Sequence, residues 1–395
     1  MNTAPPAAGN PPDLRPDRIM QMAWGFAPPL LLEVAIRHRV FDYLDGAAHT
    51  AEEVAADTRG SVRGWTAVLN ALAGLDFLRK EGDRYVTTPE SSTFLVTTKP
   101  SFCGGLLRHT TRHLIPSWLH LEETVRTGMP PGAVNQADHG ETFFAEFVSD
   151  IFNTSYPSAR TLAAHLALEK KAAPVRALDV ATGSGVWGIA LAQSSPNVHV
   201  TAVDWPGVLP ITGQHAEKFG VASRFTYLPG DILTVDYPAD YDVATLGHIL
   251  HSEGEARSRA LLRKMHGALK PGGTIAIAEF TPNAERTGPP HTLIFAVNML
   301  VHTEHGNTYP FAEVSGWLRE AGFVESTVDA QRRLYRLKPE PLHEVDDWLA
   351  PFRRFWSAHV DALERHLDRM DQSTSTKGKS GKKRRGANRH RGGTK

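Results

Sequence analysis

A run of small residues, Ala181-Thr182-Gly183-Ser184-Gly185-Val186-Trp187-Gly188, follows an apolar stretch that closes on Leu178-Asp179-Val180. Glycines placed directly after a strand permit a tight turn and let backbone amides approach a ligand closely. Gly183, Gly185 and Gly188 satisfy GxGxxG, and Asp204 follows Gly183 by twenty-one residues, so a dinucleotide site is one reading. The acids argue for another ligand. Asp179 stands where a carboxylate meets a cationic amino group but repels a pyrophosphate. Asp204 and Trp205 end the next strand-like run, offering a carboxylate to ribose hydroxyls and an indole to adenine. Asp231, in Pro229-Gly230-Asp231-Ile232, is a third acid, placed to accept from an adenine amine. Carboxylates gathered around a sulfonium are favourable; around a diphosphate they are not. The pattern points to S-adenosyl-L-methionine and away from NAD.

Such residues need a scaffold that brings successive strand ends together. Strand-like runs at 176–180, 198–203, 225–228, 241–246 and 274–279 alternate with helical ones near 186–193, 207–218 and 255–268. That alternation predicts an α/β domain, a Rossmann-like parallel sheet covered on both faces. Ligands bind such sheets beyond the carboxyl ends of the strands. Upstream, helical spacing over 29–44, a capping box at Thr50 and Glu53, a third helix over 63–75 and a hairpin turning at Glu81-Gly82-Asp83 form a winged-helix pattern. Its third helix carries one arginine and no lysine, too few cations for DNA, so the unit reads as a dimerisation platform. The expected divisions are 1–16, Pro/Ala-rich and disordered; 17–100, winged-helix-like; 101–172, a helical connector with acceptor-pocket helices; and 173–330, the α/β domain. Beyond them lie 331–371, a strand and an amphipathic helix, and 372–395, a disordered basic tail.

Composition limits the rest. The 395 residues, 41% hydrophobic and 22% charged, suit two or three globular domains. One cysteine, Cys103, excludes an intrachain disulfide. The absence of an eighteen-residue apolar stretch and of a signal-like start leads to a cytoplasmic expectation with no membrane partner. Net charge is zero, yet nine lysines and arginines follow the last acid, Asp371, leaving 34 basic against 43 acidic residues before them. An acidic body disfavours nucleic acid, apart from nonspecific contact through the tail.

With those motifs in place, residues of roughly 18–330 resemble the small-molecule O-methyltransferases of plant phenylpropanoid and bacterial polyketide pathways. The resemblance implies a winged-helix-like dimerisation domain ahead of a class I S-adenosylmethionine-dependent methyltransferase domain, a homodimer, and an aromatic small-molecule acceptor. It places Gly183, Gly185, Asp204, Trp205, Asp231 and Ile232 at the cofactor, with Gly247 where plant members carry a lysine. Ala181 and Thr182 stand where glycines are common. It also implies that His251 deprotonates the acceptor hydroxyl and that Glu279, twenty-eight residues on, orients it. A neutral imidazole, ordinarily near pKa 6.5, cannot fully deprotonate a phenol near 10, but proton transfer concerted with methyl departure avoids free phenolate. The family follows its histidine with Asp-Trp, whereas this chain has Ser252-Glu253; a second acid of the family falls at Thr308, so that role is vacant or passes to Glu304. Phe144, Phe147, Phe295, Met299 and His302 are the expected acceptor pocket. His248 reads as packing or capping, and the pairs His248/His251 and His302/His305 lack the partners of a metal site, so no metal is expected. C- or N-methylation, hydroxylation, decarboxylation and a non-catalytic regulatory dimer remain alternatives. Residues 331–370 resemble the last wing strand and dimerisation helix of an ArsR-like regulator, and either 333–338 is the final strand of the α/β domain or that domain is truncated.

Overall fold

The structure, a computed structural model, describes residues 15–134, 137–323, 327–329 and 332–334. The chain up to Glu325 forms one unit. It begins with helices Asp17–Ala23 and Ala27–Arg37. The single helix expected over 29–44 breaks at Arg39, which takes a left-handed φ of 56°, and resumes as Val40–Tyr43. Thr50 caps helix Ala51–Thr58 as expected: its hydroxyl accepts from Glu53 N while its own amide donates to the Glu53 carboxylate. Helix Val62–Gly74 starts from a Ser61 cap. The wing comprises β1 (His49–Thr50), β2 (Leu78–Glu81) and β3 (Arg84–Thr87), all antiparallel, with β3 central. Phe41, Leu69, Leu72 and Tyr85 fill its core.

The α/β domain carries β4 (Val175–Val180), β5 (Val198–Asp204), β6 (Phe225–Pro229), β7 (Tyr241–Gly247) and β8 (Leu269–Ala278). All pair in parallel, in the order β6-β5-β4-β7-β8. The chain leaves β4 toward β5 on one side and later crosses to β7 on the other, so a crevice opens where the order reverses. Helix Val186–Ser194 is buried almost all round because the sheet lies on one side of it and helix Phe152–Leu166 on the other; Ile189 and Ala190 share a core with Ala159 and Val200. Behind β7, helix Leu250–Ala268 buries Leu261, Leu262 and Met265 against Leu246 and Trp317.

Residues from Ser326 onward form a separate unit, in which β9 (Thr327–Asp329) and β10 (Arg332–Leu334) are antiparallel. The helix expected over 344–370 and the basic tail lie outside the described residues.

Candidate active site

The turn after β4 sets one end of a cleft of about 880 Å³. Ala181, Gly183 and Gly185 all have positive φ, at 54°, 54° and 77°, so the chain coils tightly before entering helix Val186–Ser194. The two departures from glycine have separate consequences. Ala181 accepts a left-handed backbone. Thr182 uses its hydroxyl to donate to Asp179 Oδ2 at 2.7 Å.

That bond corrects the role expected of Asp179. Asp179 is 1% exposed, accepts from Thr182 Oγ1, Gly188 N and Thr245 Oγ1, and does not line the cleft. It braces the turn from behind; burial pushes its pKa up to about 6 against those three donors. Gly185 also stays off the cleft wall, its Cα facing Thr212 and Ile189, so it shapes the turn without lining the site. Gly183, Asp204, Trp205, Asp231, Ile232 and Gly247 do line it. Asp204 accepts from Gly183 N and Trp205 N, both at 2.8 Å, which ties the end of β5 to the glycine turn. Burial raises the Asp204 pKa to about 6, with the two amides opposing.

Beyond the end of β7, His251 lies in the first turn of helix Leu250–Ala268. His248 makes the approach, taking φ 61° and donating its amide to Ala278 O at 2.9 Å. Because Gly247 pairs with Ala278, Glu279 emerges beside that turn. Its Oε2 lies 2.7 Å from His251 Nδ1, and its Oε1 accepts from Leu250 N at 2.7 Å. A carboxylate only accepts, so Nδ1 carries the proton, and in the neutral ring the lone pair is therefore on Nε2. Burial alone would raise the Glu279 pKa, but His251, His248 and the Leu250 amide outweigh it and hold the group below its ordinary value. The helix then breaks at Gly254 (φ 76°, ψ 168°), where the loop 303–307 crosses so closely that a Cβ would sit 2.7 Å from the His305 Cβ. Asn307 N donates to His251 O at 2.8 Å across that crossing. Neither Thr308 nor Glu304, the candidates for a second acid, lines the cleft. The ligand atoms of His248, His251 and Glu279 lie within 4.8 Å of one another, which corrects the expectation that this histidine pair lacks a third metal-ligating partner.

The other end of the cleft is aromatic. Phe144, Phe147, Phe295, Met299 and His302 line it, as expected, together with Phe143, Trp118, Phe280 and Asn298. Phe295 stands perpendicular to the His251 ring at 4.9 Å and Phe280 lies 4.3 Å from Phe295. Sequence reasoning missed a polar pole here. His109 and His113 approach Nδ1 to Nδ1 at 3.0 Å, so one ring donates to the other. Burial, then the neighbouring His113 and His302, lower the His109 pKa to about 4. The i, i+4 spacing of His109 and His113 was the available signal, read only as part of a helical connector. Arg257, at the opposite end, was missed as well.

Residues 118–324 match the family described as the O-methyltransferase domain, and residues 20–97 match the O-methyltransferase dimerisation domain. The chain is 30% identical over 325 residues to 3-hydroxy-5-methyl-1-naphthoate 3-O-methyltransferase of Streptomyces sahachiroi, covering 80% of this chain and 92% of that relative. It is 27% identical to the tetracenomycin polyketide synthesis 8-O-methyl transferase of Streptomyces glaucescens, over 78% and 92% of the two chains. Human N-acetylserotonin methyltransferase, solved with S-adenosylmethionine, shares the fold at a TM-score of 0.71 and 23% identity, over 82% of this chain and 96% of that one.

Proposed function

The chain belongs to the O-methyltransferase family and is an S-adenosylmethionine-dependent enzyme; on that premise we propose that it methylates a hydroxyl of an aromatic small molecule with His251 as the base. The cleft suits that cofactor. Asp204, Asp231 and Glu253, set against the one guanidinium of Arg257, leave its lining acidic and favour a cationic ligand, and the Gly183 turn leaves room for a ligand against the backbone. Gly183, Asp204, Trp205, Asp231 and Ile232 would hold it, and when bound it supplies a methyl group activated by a positively charged sulfur.

The chain's own residues do the rest. Phe143, Phe144, Phe147, Phe280, Phe295 and Met299 give a flat ring an apolar slot and exclude water. His251 Nε2 would take the proton of the acceptor hydroxyl as the oxygen's electron pair goes to the methyl carbon, the carbon–sulfur bonding pair staying on the sulfur that leaves. Glu279 holds Nδ1–H, keeps the ring in the productive tautomer and stabilises the imidazolium that results. The naphthoate acceptor of the Streptomyces sahachiroi relative is a fused aromatic ring, the shape this slot fits.

The observation that carries the assignment is the 2.7 Å His251–Glu279 pair, in which His251 lines the cleft and Glu279 holds it from behind the wall. Replacing His251 by alanine is expected to slow methyl transfer by about 10²–10⁴ while S-adenosylhomocysteine still binds within about twofold of wild type. A loss under about threefold removes His251 from the role.

A further inference from the structure

Arg257 lines the cleft beside Gly230, Asp231 and Ile232. Its Nε donates to Glu253 Oε2 at 2.5 Å and its Nη2 to Asp231 Oδ2 at 3.1 Å. Glu253, in the position where the family carries tryptophan, is only 5% exposed, and a buried carboxylate without a partner is costly. Two acids from different segments therefore fix one guanidinium plane. A guanidinium has five N–H donors, and these bonds occupy only part of that set. Asp231 Oδ1 accepts from Leu233 N at 2.8 Å, and each carboxylate oxygen can accept twice. A donor and an acceptor thus stand side by side at the cofactor end of the cleft.

Taking Asp231 to accept from the exocyclic amine of adenine, as its place in the sequence implies, we propose that Arg257 donates to the adjacent ring nitrogen. The proposal rests on the cofactor site described above. Adenine offers a donor beside an acceptor, matching the protein pair, whereas a 6-oxo purine replaces the amine donor with an acceptor that Asp231 repels. Arg257 acts as a positioning residue, substituting a charged fork for an aromatic face.

Calorimetry of the full chain with S-adenosylhomocysteine and its 1-deaza and 7-deaza analogues tests this. Wild type is expected to bind one of the two analogues about tenfold more weakly than the parent, which also identifies the nitrogen read. In the paired variant E253Q/R257Q, which leaves no buried charge stranded, the parent and that analogue should bind alike. Equal binding of the parent and both analogues by wild type overturns the proposal, as does discrimination that survives in the paired variant. If wild type binds the parent not at all, the cofactor site itself falls, a result distinct from either. The wild-type comparison stands even if the variant does not fold.

Discussion

At the residue scale, acids divide by what already satisfies them. Asp179 is saturated by three internal donors and serves the turn; Asp204, held by two amides, still faces the cleft. Position at a strand end did not separate the two, because the sequence does not record that Thr182 and Thr245 point back at Asp179. The raised Asp204 pKa has a definite sign. In the folded protein the protonated form is favoured, so this group's contribution to stability is complete below about pH 4 and is lost as pH climbs through about 6. Hydrogen bonds from a ribose need the ionised form, so cofactor affinity moves the other way. S-adenosylhomocysteine binding should weaken as pH drops below about 6, by up to tenfold per unit, and D204N should flatten that dependence. Calorimetry from pH 5 to 8 checks it; a flat wild-type profile would contradict it.

The elements explain why the proposed catalytic pair was only half legible. Alternating strand and helix patterns delivered the five parallel strands within a residue or two, except β8, whose pairing extends back to Leu269 through a Lys-Pro-Gly-Gly run that reads as a turn. Periodicity could not show that the chain leaves β7 through a left-handed His248 and begins a helical turn before Gly254. His251 is thereby aimed by a helix start capped by Glu279, not by a strand. Gly254 makes this possible, since only glycine adopts its dihedral angles readily and a Cβ there would strike His305. Gly254→Ala should destabilise the protein by about 3 kcal/mol and lower turnover by displacing the loop that bonds His251 O through Asn307. Thermal melts and rates read both effects; an unchanged Tm would show that the crossing relaxes freely.

On the scale of the whole molecule, the wing unit supplies a surface as well as a core. Ile19, Met22, Trp24 and Phe26 are 73%, 69%, 67% and 56% exposed within one short stretch of chain, and clustered exposed apolar residues mark interaction surfaces. Residues 17–37 are even long and apolar enough by composition to cross a membrane, although the structure divides them into two helices. The match of residues 20–97 to a dimerisation domain favours a second copy as the cover. Light scattering should find a dimer, and I19E/W24E a monomer; a monodisperse wild-type monomer would contradict it. Helix and hairpin patterns made this unit readable in the sequence. Which face stays uncovered was not readable, because burial is a property of the assembled core.

Proton removal by His251 is tested most directly by varying the acidity of the acceptor. Single-turnover methyl transfer by wild type and His251→Ala is measured over hydroxynaphthoates whose hydroxyl pKa runs from about 10 down to below the assay pH. The defect of the variant should shrink from about 10²–10⁴ toward unity as the hydroxyl becomes ionised before it binds. A defect of the same size for every acceptor would mean that His251 does something other than take the proton.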